Sequence, residues 1–160
     1  MNIIIAIIIL LIYTLVMIKI GGFILPSLSA SVFNIPINKR WIWTVVLFAV
    51  CFLCVPTYIE KTYENTQFLV FLAIAGLAFV GAAPLVKFSD DEMQFRVHET
   101  GAIVCAACSQ LVLVFNYPWF LLSWIPFIIY GFVKDWKTWR TIVFCGEMVC
   151  FISTFVYCLI

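Results

Sequence analysis

Few side chains in this chain of 160 residues can do chemistry. Glu147 lies seven positions into the closing apolar run Thr141 to Ile160, about 9 Å along a helix axis, so its carboxyl must be protonated or find a partner. The single histidine, His98, opens another apolar run, with Arg96 before it and Glu99 after it. Ser29 stands between Ser27 and Ser31 in a segment bracketed by Pro26 and Pro36. A serine, an imidazole and a carboxylate are the parts of an acyl-transfer or hydrolase site, with Ser29 as nucleophile, His98 as base and Glu147 orienting the ring. Ser29, Arg96, His98, Glu99 and Glu147 would also line a polar pocket that binds a lipid headgroup or a partner helix. The plainest alternative is a structural interhelical pair of His98 with Glu147.

Seven cysteines raise the question of metal or redox chemistry, because Cys51 and Cys54, and again Cys105 and Cys108, have the CxxC spacing that puts two thiols on one helical face. Both pairs fall deep in apolar runs without a histidine or carboxylate at the same depth. A thiolate there would be an unpaired charge in low dielectric, whereas a free thiol is an ordinary small apolar side chain. Packing is the expected role; a soft-metal pathway and a disulfide are the alternatives. No metal site and no cofactor are expected.

The elements that must position these groups follow from composition. Hydrophobic residues make up 66% and charged residues 11%, with a mean hydropathy of +1.17, so a water-soluble globule is excluded. A net charge of +1 excludes a basic nucleic-acid surface, and nucleotide-binding, HExxH, GxSxG and Cys/His-finger motifs are absent. A helix crossing ~30 Å of hydrocarbon needs about 20 mostly apolar residues. The expected fold is therefore all-α: one polytopic membrane domain over residues 1–160, a compact bundle of six transmembrane helices. The spans run from Ile3 to Ile20, Trp41 to Ile59, Phe68 to Val86, Val97 to Phe115, Trp119 to Val133 and Thr141 to Ile160. The fifth is short and carries Pro126, which a spanning helix tolerates as a kink. Asn116, Tyr117 and Pro118 form the turn between spans four and five.

Basic residues set the orientation independently of hydropathy. With six spans, one face collects Lys19, Lys39, Arg40, Lys87, Arg96, Lys134, Lys137 and Arg140, and the other Lys61 alone. Loops one, three and five are thereby placed in the cytoplasm, and both termini outside a cell membrane, the inner membrane in a Gram-negative cell. Residues 2–20 have the alternative of a cleaved signal peptide, but no basic region precedes the run and it is long for that role.

Two connections stand out. Gly21 to Arg40 is neither polar enough for a free loop nor long enough in apolar residues to span again; it is expected to pack on or slightly into the cytoplasmic leaflet. Lys87 to Arg96 is a solvated acidic connection containing Asp90, Asp91 and Glu92. Small residues in spans three and four, including Ala73, Gly76, Gly81, Gly101, Ala102 and Cys105, predict close contact of those helices. Trp41, Trp43, Trp136 and Trp139 suit a cytoplasmic aromatic belt and Trp119 an outer one. Span four carries a polar stripe in which His98 aligns with Ser109 and Glu99 with Gln110. Span six carries another of Glu147, Cys150 and Thr154, and both should turn inward. On their common depth, His98 and Glu147 are expected to converge between the two helices.

The segment Pro26-Ser27-Leu28-Ser29-Ala30 and, two spans later, Val97-His98-Glu99-Thr100-Gly101-Ala102 resemble the P-x-I-S loop and H-x-x-G-A helix start of six-span DRAM-type membrane proteins and their bacterial relatives. These are grouped with the CREST superfamily of alkaline ceramidases and progestin/adiponectin receptors. The resemblance implies a six-span topology, with Ser29 as the loop serine and His98 as the helix-four histidine. It does not carry over a zinc amidohydrolase site, because the hydrolytic members use several histidines and an aspartate, and this chain has one histidine. The functional expectation is a small integral membrane protein, a non-catalytic module that binds lipid in a cytoplasmic-leaflet pocket. Its expected partners are membrane lipids, other membrane proteins or copies of itself, and no nucleic acid. A metal-free Ser/His lipid hydrolase or acyltransferase, and a small-solute or soft-metal transporter, are the alternatives.

Overall fold

A computed structural model describes residues 2–22, 25–83, 91–134 and 141–160. Lys87, Asp90, Trp136, Lys137, Trp139 and Arg140, and the end of the third expected span, lie outside them. The described residues form helices, with no strand among them: α1 (Asn2–Gly21), α2 (Trp41–Lys61), α3 (Gln67–Ala82), α4 (Glu92–Asn116), α5 (Ile125–Lys134) and α6 (Ile142–Leu159). Five stretches are long and apolar enough to cross a bilayer: Asn2–Gly21, Ile37–Lys61, Glu64–Ala82, Glu92–Asn116 and Ile142–Leu159. The remaining apolar stretch is shorter. It begins as a 3₁₀ segment, Pro118–Trp124, and continues into α5. Pro118 opens the segment, where its missing N–H costs no helical hydrogen bond, and Pro126, near the start of α5, lacks the N–H that would bond back into the preceding turn, which is 3₁₀.

Apolar character alone cannot decide which face of these helices turns inward. In α1 the residues Ile3, Ala6, Leu10, Tyr13, Thr14 and Met17 are buried at helical spacing, while Ile4, Ile8, Leu11, Ile12 and Leu15, just as apolar, are exposed. Size and hydrogen bonding select the inner face. Tyr13 hydrogen-bonds Ser31 at 2.9 Å, and its ring packs 5.4 Å from that of Trp43 on α2.

The closest packing is between α3 and α4, where small residues let two backbones touch. A Cβ placed on Gly76 would lie 2.6 Å from the Gly101 carbonyl oxygen, and one on Gly101 would lie 2.8 Å from the Gly76 carbonyl oxygen. Helix α6 closes the bundle against α1, α2 and α4, and α5 leans on α6.

At one end of the bundle a polar and aromatic knot ties three elements together. The Asn116 amide accepts from the Tyr63 N–H at 2.8 Å and donates to Thr66 at 3.1 Å; Tyr157 donates to the Lys61 carbonyl at 2.8 Å. Asn116, read from sequence as a turn residue, is buried and fastens the α2–α3 connection to α4.

At the opposite end lies the segment after α1, which packs against the bundle itself. Gly22 takes a left-handed φ of +86° and turns the chain back. Residues 25–35 then fold into the bundle, with Leu25, Leu28, Val32 and Ile35 buried. The serines make this possible by bonding the backbone locally. Ser27 accepts from the Ala30 N–H at 2.8 Å and Ser31 donates to the Leu28 carbonyl, giving the 3₁₀ segment Ser29–Asn34.

Candidate functional site

Helix α6 presents Glu147 to this folded-in segment. The carboxylate accepts a hydrogen bond from the Leu28 N–H at 2.5 Å and one from the Ser29 hydroxyl at 3.3 Å, while the Phe144 N–H, one turn earlier, donates to the Pro26 carbonyl at 3.2 Å. Ser29 is also paired with Ser27 at 3.2 Å. Two features of the sequence thus meet at one point: the serine loop and the acidic residue of the last helix.

Glu147 sits at the rim of a cavity of about 400 Å³ enclosed by α2, α3, α4 and α6. Its walls are almost entirely apolar, with Trp43, Leu47, Tyr58, Leu77, Phe151 and Phe155 among them. The expected α6 stripe, Glu147, Cys150 and Thr154, lines this space along one side. Gly146 lines it beside the carboxylate; a Cβ there would meet nothing nearer than the Phe127 ring at 3.8 Å. Ile103 of α4 and Val143 of α6 also line the cavity, yet they are 62% and 56% exposed, so it opens outward between those two helices. Deeper along α4, Gln110 donates to Ser153 at 3.3 Å and accepts from Trp124 Nε1 at 2.9 Å, which fixes Trp124 as part of the wall.

Of the five residues singled out from sequence, the structure brings Ser29 and Glu147 together. His98 is buried, but its Nδ1 donates to the Ala83 carbonyl at 2.7 Å, satisfying the frayed end of α3. No hydrogen bond joins it to Ser29 or Glu147, so the expected convergence of imidazole and carboxylate is not what holds this site together. Arg96 is exposed and ion-paired with Glu92 at 3.7 Å, and Glu99 is exposed. The nucleophile–base–orienter arrangement therefore lacks its base: the Ser29 hydroxyl donates directly to the carboxylate. Sequence reading missed the Leu28 N–H, Gly146 and the aromatic walls. The alternation of serines with Leu28 could have pointed to the first, but nothing in the sequence marks which aromatics face a cavity.

All seven cysteines are free. Cys54, Cys105 and Cys150 touch the cavity, and Cys51 directs its thiol at the Ile74 carbonyl at 4.0 Å. No group of three or more His, Cys, Asp or Glu side chains among the described residues is arranged to hold a metal ion. Alanine at Cys51, Cys54, Cys105 and Cys108 together should leave detergent stability nearly unchanged, because each swap removes one sulfur and no buried charge. Melting curves and metal analysis of the purified variant check this; stoichiometric metal in the parent that is lost in the variant would refute a packing role.

Protein-family models, curated proteins and solved structures were compared with the chain, and none matches it.

Proposed function

We propose that the chain is a non-catalytic membrane module that crosses the bilayer six times and holds an amphiphile, its polar end at Glu147 and Ser29 and its apolar body in the adjoining cavity. The observation that carries this reading is the position of Glu147. It is a half-buried acidic side chain lining an apolar space of about 400 Å³ that opens sideways between α4 and α6, where a bilayer component could enter.

Two features support the sixth crossing. Ile125 links Pro118–Trp124 to α5 in helical conformation, so the two continue one another. Seven residues at ~2.0 Å and ten at ~1.5 Å rise about 29 Å, close to the hydrocarbon thickness. With six crossings the Glu147 end of the bundle, where α1 ends in Lys19 and α2 begins beside Lys39 and Arg40, is the basic and hence cytoplasmic end. The resemblance to DRAM-type proteins agrees with this topology and adds no catalytic residue to it.

Both termini should then be inaccessible from the cytoplasm, and the stretch from Lys134 to Arg140 accessible. Reporter fusions at the C-terminus and after Val133 read this directly, and a cytoplasmic C-terminus would overturn six crossings. Binding is tested by native mass spectrometry of the protein extracted in nanodiscs. A co-purifying amphiphile is expected at about one per chain in the parent and is lost when Cys150→Phe, on the α6 stripe that lines the cavity, fills it. Equal retention by both would remove the cavity from the function.

A further inference from the structure

Which amphiphile fits is a question of charge, and the answer rests on the reading that the cavity holds one. Glu147 receives two hydrogen bonds from its own chain, from the Leu28 N–H and the Ser29 hydroxyl, and both donors are neutral. An ionised carboxylate can accept about four hydrogen bonds, so acceptor capacity is left over on the cavity side. Among the described residues lining the cavity there is no lysine, arginine or histidine. His98 is committed to Ala83, and Arg96 is exposed beside Glu92. A carboxylate withdrawn from water is stable when it is paired or neutral, and among the described residues no cation pairs it.

We propose that the cavity selects amphiphiles whose polar end is a protonated amine or another onium cation, seated on Glu147 with the apolar body against the aromatic wall. An anionic or phosphate-bearing head would stand against Glu147 with no basic side chain among the described lining residues to offset it, and like charges brought together in this way repel. A neutral alcohol could donate one hydrogen bond but would leave the carboxylate without a countercharge. The contact involves no bond making or breaking; it is an ion pair strengthened by a hydrogen bond. A membrane-resident long-chain amine and a bulky lipophilic cation arriving from water share this chemistry, and they differ in the shape of the apolar body.

Three ligands of one chain length separate head from tail: dodecylamine, dodecanol and dodecanoate. Binding is measured by equilibrium dialysis of radiolabelled ligand against the protein in phosphatidylcholine nanodiscs, with empty nanodiscs subtracted. The parent should hold dodecylamine about tenfold more tightly than dodecanol, the scale of a hydrogen bond to a charged group, and should show no dodecanoate above the empty disc. Glu147→Gln, which can still accept from the Leu28 N–H, should bring the amine to the level of the alcohol while the melting temperature stays near that of the parent. Glu147→Asp should keep the preference for the amine. Competition of the bound amine by tetraphenylphosphonium places bulky cations in the same class, and its failure restricts the class to chain-bearing amines. Equal binding of amine and alcohol by the parent, or a preference that persists in Glu147→Gln, overturns the cation selectivity and leaves an amphiphile site standing. No ligand above the empty disc, with no co-purifying lipid, overturns the amphiphile reading as well.

Discussion

Alanine at Gly76 or at Gly101 should destabilise the protein by about 1–3 kcal/mol, and valine at either should prevent the native bundle from assembling. The reason is that the atoms in the way cannot move aside. A Cβ on residue 76 would lie 2.6 Å from the Gly101 carbonyl oxygen and 2.7 Å from the Cys105 amide nitrogen. A Cβ on residue 101 would lie 2.8 Å from the Gly76 carbonyl oxygen and 3.0 Å from the Phe79 Cβ. These are mostly backbone atoms of rigid helices, so the whole of α3 must back away from α4. Within a bilayer that movement is not resisted by a hydrophobic force, since lipid tails are as apolar as the residues they would replace; the lost contacts are those of close packing. The two substitutions should combine sub-additively, because each opens the same crossing. Gly146→Ala is the control, since its new Cβ meets nothing nearer than 3.8 Å and removes a flexible glycine from a helix interior. Thermal melting in detergent, followed by size-exclusion profiles, measures all of these variants. Unchanged melting of Gly76→Ala and Gly101→Ala would mean that the helices are farther apart than described.

Glu147→Leu should cost about 2–5 kcal/mol, whereas Glu147→Gln should cost less than about 1.5 kcal/mol. Leucine has no acceptor, so the Leu28 N–H and the Ser29 hydroxyl, both in a buried segment, would be left without their partner. Glutamine retains one oxygen for the Leu28 N–H. The damage should be local before it is global. Because Glu147 and the Phe144 N–H are the hydrogen-bonding points of α6 on this segment, residues 25–35 should detach first and become accessible to amide exchange and to protease. Hydrogen exchange on the parent and both variants reads this: protection of residues 28–31 should fall in Glu147→Leu and survive in Glu147→Gln. Equal protection in all three would show that apolar burial of Leu25, Leu28 and Val32 holds the segment without the carboxylate.

The two experiments bear on different properties of the same bundle. The glycine crossing decides whether α3 and α4 form a wall at all, and through Ala102 and Cys105 that wall is part of the cavity. The Glu147 contact decides whether the cavity is closed at the end where α1 turns back. A protein that tolerated loss of both would owe its cavity to neither, and the amphiphile site would have no structural basis.

What the residues alone determined is the helical character of the described residues, with no strand among them, where most of the long apolar helices begin and end, and the inward stripe of α6; Glu99, expected inward on the α4 stripe, is exposed. Those follow from composition, from the length of apolar runs and from 3.6-residue spacing, properties that depend on neighbours in sequence. Glu147, Cys150 and Thr154 could be placed on one inward stripe for that reason, and the small residues of α3 and α4 at one another's surface. Pairing across the bundle was not legible. His98 and Glu147 were expected at a common depth, but depth is one coordinate, and in the structure His98 bonds the Ala83 carbonyl across the closely packed α3–α4 pair. The serine segment likewise has no periodicity that distinguishes lying on a bundle from folding into it. Only the tertiary structure decided that, because burying its backbone became affordable once Ser27 and Ser31 satisfied it from within and Glu147 met it from α6, 118 and 119 residues away from its two donors.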